Sequence, residues 1–149
     1  MHSWFIFAYT QQIEEFWSLY NHLLRPFDMP SGAEYDLFKT GIKPMWEDDA
    51  NRHGGKFFMR YKNTDPLIAA KDWEAVVFAM IGEQFEVDDI CGLIVSIRGQ
   101  ETIMSLWIRD ASNAEVKTKI QATLAKILSS PDQIVQYRNH STKEKPEKQ

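Results

Sequence analysis

Cysteine is almost missing from this chain: Cys91 is the single one in 149 residues. An internal disulfide is therefore excluded, and the expected compartment is a reducing one, the cytoplasm. No apolar run reaches the roughly 18 residues that a membrane helix needs, and residues 1–8 are too short and too uncharged at their start to read as a signal peptide. A surplus of cations is lacking as well. With 17 Lys and Arg against 21 Asp and Glu the net charge is −4, which argues against broad, non-specific nucleic-acid binding, because that depends on many phosphate contacts. The histidines His2, His22, His53 and His140 are scattered. None stands at ligand spacing from the acidic run Glu47, Asp48 and Asp49, so neither a metal nor a cofactor is expected. No Ser or Cys arrangement implies a nucleophile, and Gly54-Gly55 lacks the surrounding pattern of a phosphate loop. The chain reads as a binding protein, not an enzyme.

What is present is the composition of a globular protein, 44% hydrophobic and 13% aromatic, in a length that suits one domain. Residues 1–9, MHSWFIFAY, form an atypical apolar leader. Thr10 is a plausible N-cap for a helix whose stripe is Ile13, Phe16, Trp17, Tyr20, Leu23 and Leu24, ending before Pro26. Short strands follow at residues 35–39 and 56–61. Asp65-Pro66 opens a second helix striped by Trp73, Val76, Val77, Met80 and Ile81. Residues 90–98 and 102–109 read as a hairpin around Gly99-Gln100-Glu101. Ser112-x-x-Glu115 is a capping box for a third helix carrying Val116, Ile120, Leu124, Ile127 and Leu128, which Pro131 stops. A last strand at residues 134–137 precedes a charged tail, residues 141–149, expected to be disordered. This order predicts an α+β domain over residues 10–140, an antiparallel sheet with helices packed on one face.

Two places carry chemistry. Residues 41–58, GIKPMWEDDANRHGGKFF, form a loop bounded by Pro44 and by Gly54-Gly55, with Trp46 directly beside Glu47. An exposed ring next to an acceptor-only carboxylate suits a flat, cationic ligand that donates hydrogen bonds, such as a methylated guanine. In the hairpin, pairing Arg98 with Ile103 puts Ile94, Ser96, Arg98, Ile103, Ser105, Trp107 and Arg109 on one face. The opposite set, Leu93, Val95, Ile97, Met104, Leu106 and Ile108, is the core face. One Trp and two Arg on an outer face suit a base with phosphates attached.

The run Asp36-Leu37-Phe38-Lys39 through Gly41-Ile42-Lys43-Pro44-Met45-Trp46-Glu47-Asp48-Asp49, with Gly54-Gly55 after it, resembles the messenger-RNA cap-binding translation initiation factor 4E family. It looks most like the 4E-homologous branch, which usually represses translation. The resemblance implies a curved antiparallel sheet with three helices on its convex face and a cap pocket on the concave face. It also implies that Trp46 stacks on 7-methylguanine, that Glu47 accepts its N1 and N2 protons, and that the Trp46 backbone N–H binds O6. Trp107 would touch the methyl group, and Arg98 and Lys56 would stand near the phosphates. Arg109 joins them by parity alone. Ile103 stands where the main class has a phosphate-binding lysine.

On the helical side the resemblance implies a groove of Trp17, Ile13, Phe78 and Gly82 that receives scaffold or repressor proteins carrying a Tyr-x-x-x-x-Leu-hydrophobic motif. Spacing alone puts Trp17 in the core. The family's first strand and the loop bearing its second stacking aromatic are expected to be mostly absent before residue 10, where Trp4 is the tryptophan available to replace it. Two functions follow: a regulator of translation initiation, of the repressing type by its branch, that binds the capped messenger RNA and these partners, or a truncated form without cap binding that acts as a protein-interaction module.

Overall fold

The computed structural model describes residues 13–141. In chain order the elements are α1 Ile13–Tyr20, a short 3-10 turn Pro26–Asp28, β1 Glu34–Phe38, β2 Gly55–Lys62, α2 Pro66–Ile81, β3 Ile90–Arg98, β4 Glu101–Ile108, α3 Ala114–Ile127 and β5 Gln136–Asn139. The strands form one antiparallel sheet in the order β1-β3-β4-β2-β5. It is curved, and the three helices cover its convex face, as expected for an α+β chain.

Alternation along the strands divides the molecule. Leu93, Val95, Met104, Leu106, Ile108 and Met59 face the helices and meet Phe16 and Tyr20 of α1, Trp73, Val76 and Val77 of α2, and Ile120 and Leu124 of α3 in one buried core. The other parity faces outward across the concave side. Local chemistry fixes several boundaries. Asp65 caps α2 by accepting the Leu67 N–H at 2.9 Å, with Pro66 at the first helical position.

Four boundaries differ from the sequence reading. Helix α1 ends at Tyr20, because His22 and Leu23 donate to carbonyls three residues back at 3.0 and 3.1 Å and tighten the chain into a turn. Leu24 continues the apolar spacing but is 59% exposed. The hairpin is two residues tighter: Arg98 faces Glu101, not Ile103, across Gly99-Gln100, with Gly99 at φ 62°. A shift of two preserves the predicted faces. Helix α3 is capped by Asn113, whose side chain accepts the Val116 N–H at 3.1 Å, while Ser112 turns back to Asp110. Strand β5 lies two residues later than predicted and leaves Ile134 70% exposed. The leader, with Trp4 and Thr10, and residues 142–149 of the tail lie outside the described residues.

Candidate functional site

The concave side is built from alternate residues of all five strands. Trp107 of β4 lies at one end of it, buried to 9% exposure. Phe38 meets it edge-on, with centroids 5.5 Å apart and planes at 80°, and the His140 ring lies at 4.2 Å. With Ile42, Cys91, Ala50 and Ile94, Trp107 and Phe38 make an apolar patch separate from the main core. A bulge in β3 supplies Cys91. Ile90 faces Ile108 while Gly92 faces Trp107, so one residue is extra.

The loop of residues 39–54 is seated on this patch. Ile42 and Ala50 pack into it. Buried Asn51 donates from its amide nitrogen to the carbonyls of Lys43 and Met45, at 2.9 and 2.8 Å, so it fixes the backbone immediately before Trp46. Asp48 accepts the N–H groups of Ala50 and Lys43 at 2.9 and 3.1 Å, and these two bonds hold its carboxyl below the usual range. On the tip of this braced loop Trp46 is 53% exposed and Glu47 is exposed beside it. A rigid loop presenting a solvent-facing ring next to a carboxylate is an arrangement for binding rather than packing.

Lys56 on β2 stands directly opposite Trp107. Arg109, just past the end of β4, is exposed, and its guanidinium acts on the Cys91 thiol, which burial nonetheless pushes up. Thus Lys56, Trp107, Arg109 and the loop bearing Trp46 and Glu47 come to one end of the sheet. Arg98 does not. It lies six residues along β3 from Gly92, the residue opposite Trp107, or roughly 20 Å of extended chain. There it is ion-paired with Glu34 at 3.1 Å, and Ser96 donates to the same carboxylate. Beside this pair Asp36 is buried, and burial, with Glu34 adding to it, pushes its carboxyl up to about 7.

Sequence reasoning missed Phe38, Phe58, Arg60, Arg138 and His140. Parity along β2 was a usable signal for Phe58 and Arg60, which share the face of Lys56. Nothing local announces that β5 lies beside β2 and sets Arg138 opposite Lys56. His140 follows β5, and burial, with Lys56 second, lowers its imidazole to about 4, so it is neutral at pH 7. Trp107 Nε1 and His140 Nε2 are buried with no hydrogen-bond partner among the described residues.

The helical side carries a second patch. Trp17 is half-buried, and its ring lies 5.1 Å from Phe78, which is 44% exposed, with Phe16 and Tyr20 at 5.1 and 5.6 Å. Gly82 caps α2, exposed, its N–H donating to the Phe78 carbonyl. Ile13 begins α1, but its side chain lies outside the described residues. Trp17 is therefore a surface-breaching residue and not the core residue that spacing alone suggests. Among the described residues no three His, Cys, Asp or Glu side chains converge as a metal site would require, and no helix is long and apolar enough to cross a membrane.

Comparison with known proteins adds the following. The family model described as eukaryotic initiation factor 4E matches residues 6–149. Eukaryotic translation initiation factor 4E-4 of Caenorhabditis elegans is 42% identical over 132 residues, which is 87% of this chain and 61% of that protein. Eukaryotic translation initiation factor NCBP of Oryza sativa subsp. japonica is 38% identical over 86% of this chain and 56% of its own length. The chain thus spans about 60% of the length of these curated relatives. Among solved structures, the complex of C. elegans eIF4E-3 with the 4E-binding protein Mextli superposes with a TM-score of 0.83 at 37% identity, covering 91% of this chain and 80% of that one. Ascaris suum eIF4E-3 with the m7G cap superposes with a TM-score of 0.81 at 38% identity, covering 87% and 74%.

Proposed function

The chain belongs to the eukaryotic initiation factor 4E family, and from that premise we propose that it binds the 7-methylguanosine cap of messenger RNA together with partner proteins. It is a binding protein, not an enzyme, and it regulates translation initiation in the cytoplasm as a repressor. The observation that carries this reading is the exposed Trp46 ring beside Glu47 on a loop seated against the Trp107 patch. Methylation leaves guanine flat and cationic, so the π face of Trp46 attracts it. Glu47 accepts the N1 and N2 protons, the Trp46 backbone N–H binds O6, and Trp107 meets the methyl group. The phosphates leave toward Lys56. Arg109 flanks them, and Arg98 reaches an outer phosphate by leaving Glu34. The related Ascaris protein solved with the m7G cap supports this arrangement. The repressing role rests on the likeness to the 4E-homologous branch, including Ile103 in place of a lysine.

A second reading is favoured by a specific observation, the exposed Trp17–Phe78 pair. It is the interaction module that takes partner helices and no cap. The C. elegans relative solved with Mextli supports partner binding in either case. A tryptophan-fluorescence titration with 7-methyl-GTP and with GTP, on the native protein and on Glu47→Ala, decides between them. Cap binding gives quenching by the methylated nucleotide alone, weakened roughly tenfold or more when the charged hydrogen bonds are lost. Equal responses to both nucleotides from a folded protein would leave the interaction module.

A further inference from the structure

Phe58 is only 8% exposed, yet it points to the concave side and belongs to neither apolar cluster. Three cations surround its ring instead: the Arg138 guanidinium at 5.6 Å, Arg60 at 5.9 Å and Lys56 Nζ at 5.9 Å. The register explains the cluster, since Lys56 faces Arg138 across β2 and β5 and Arg60 follows Phe58 by two residues. Lys62, the next outward residue of β2, extends the row. Across the outward positions of β2, β4 and β5 stand four cations and a single carboxylate, Glu101, in a chain whose net charge is −4. Glu101, whose side chain is 22% exposed, pairs with Arg60 at 3.3 Å, but the arginine side chain is 53% exposed and open to a second acceptor.

We propose that this row is a track for the phosphodiester backbone of the RNA that follows the cap, running from Lys56 over Phe58 to Arg60 and Arg138. The identity of the strand rests on the cap-binding reading above. Alternate residues of a strand lie roughly 7 Å apart, so β2 offers a regular series of cations to a regular series of phosphates. Guanidinium groups match phosphate oxygens two at a time. The row also begins beside Trp107, where the cap's own phosphates emerge. Phe58 fixes the cations in place from beneath.

The test compares 7-methyl-GTP, a capped RNA ten-mer, the same ten-mer uncapped, and a glutamate ten-mer as a competitor, on the native protein and on Arg60→Gln/Arg138→Gln. The capped ten-mer should bind more tightly than 7-methyl-GTP at 50 mM salt. The double variant should lose that increment, read against its own affinity for 7-methyl-GTP measured in parallel. Removing two phosphate contacts lowers the log–log salt slope by about 1.4, which is roughly a sevenfold smaller loss of affinity between 50 and 200 mM salt. If 7-methyl-GTP binds but the RNA adds nothing, or the increment survives in the double variant, the track is overturned and the cap site stands. If 7-methyl-GTP fails while the uncapped ten-mer binds through the two arginines, the track stands and the cap site falls. Equal competition by the glutamate ten-mer would make the row an acidic-peptide surface and overturn the proposal.

Discussion

Gly92 stands opposite Trp107, and its missing side chain is what lets Phe38 lie against the sheet there. A Cβ at this position would come within 2.6 Å of Phe38 Cδ1 and closer still to Cγ. Phe38 is 1% exposed and edge-on to Trp107, so it cannot give way without moving that ring. Gly92→Ala is therefore expected to destabilise the fold by about 1–3 kcal/mol through overpacking. It should also weaken 7-methyl-GTP binding out of proportion to the stability lost, because the displaced ring, Trp107, is the one proposed to meet the methyl group of the ligand. Denaturant unfolding and a nucleotide titration under folding conditions measure the two effects separately. Unchanged values for both would mean that the Phe38–Trp107 pair is loose, contrary to its burial.

Asp72 does at the level of elements what Phe38 does at the level of rings. It sits fully buried on α2, accepting the Tyr61 hydroxyl of β2 at 2.8 Å and the Ser129 N–H beyond α3 at 2.7 Å. One carboxylate thus ties a strand and two helices, and burial together with this bond pushes the Tyr61 hydroxyl well above its ordinary range. Asp72→Ala leaves two buried donors unpaired and should cost about 3 kcal/mol, whereas Asp72→Asn, which keeps an acceptor, should cost clearly less. Equal unfolding midpoints for the two variants would show that volume, not hydrogen bonding, matters at this position. Elements of this kind were legible in the sequence where their chemistry is local. The Asp65-Pro66 start of α2, the two faces of the hairpin, and Trp46 beside Glu47 can all be read from neighbours in the chain. The hairpin register was not legible, because a two-residue shift leaves every face unchanged. Nor was the β4-β2-β5 order, since β2 and β4 are separated by α2 and β3, and β5 joins only after α3. That order brings Phe58, Arg138 and His140 to the site, and no stretch of sequence announces it. The end of α1 was missed because apolar spacing continues through Leu23 and Leu24 after the backbone has turned.

Across the whole molecule two titratable groups, the buried Asp36 on the edge strand β1 and the half-buried His140 just past the edge strand β5, pull stability in opposite directions with pH. Asp36 is raised to about 7 by burial and by Glu34. The folded state keeps a proton that the unfolded chain releases near 3.8, so this contribution is full below 3.8 and disappears as pH rises through 7. His140 is lowered to about 4 by burial and by Lys56. Here the unfolded chain takes up a proton near 6.5 that the folded state refuses, so the contribution is full above 6.5 and disappears as pH falls through 4. Between pH 4 and 6.5 each group changes stability by at most about 1.4 kcal/mol per pH unit, with opposite signs. The native protein should therefore be nearly flat in this window as far as these two groups decide it. Asp36→Asn unmasks the histidine, and stability should then fall on acidification from 6.5 to 4. His140→Gln unmasks the carboxyl, and stability should fall as pH rises from 4 to 7. Urea unfolding of the three proteins at unit pH steps reads both slopes. Parallel profiles for native and variants would mean that neither group is held away from water as the fold requires. The same neutrality matters for function: an uncharged His140 at pH 7 lies against Trp107 without adding a fourth positive charge beside Lys56, Arg60 and Arg138.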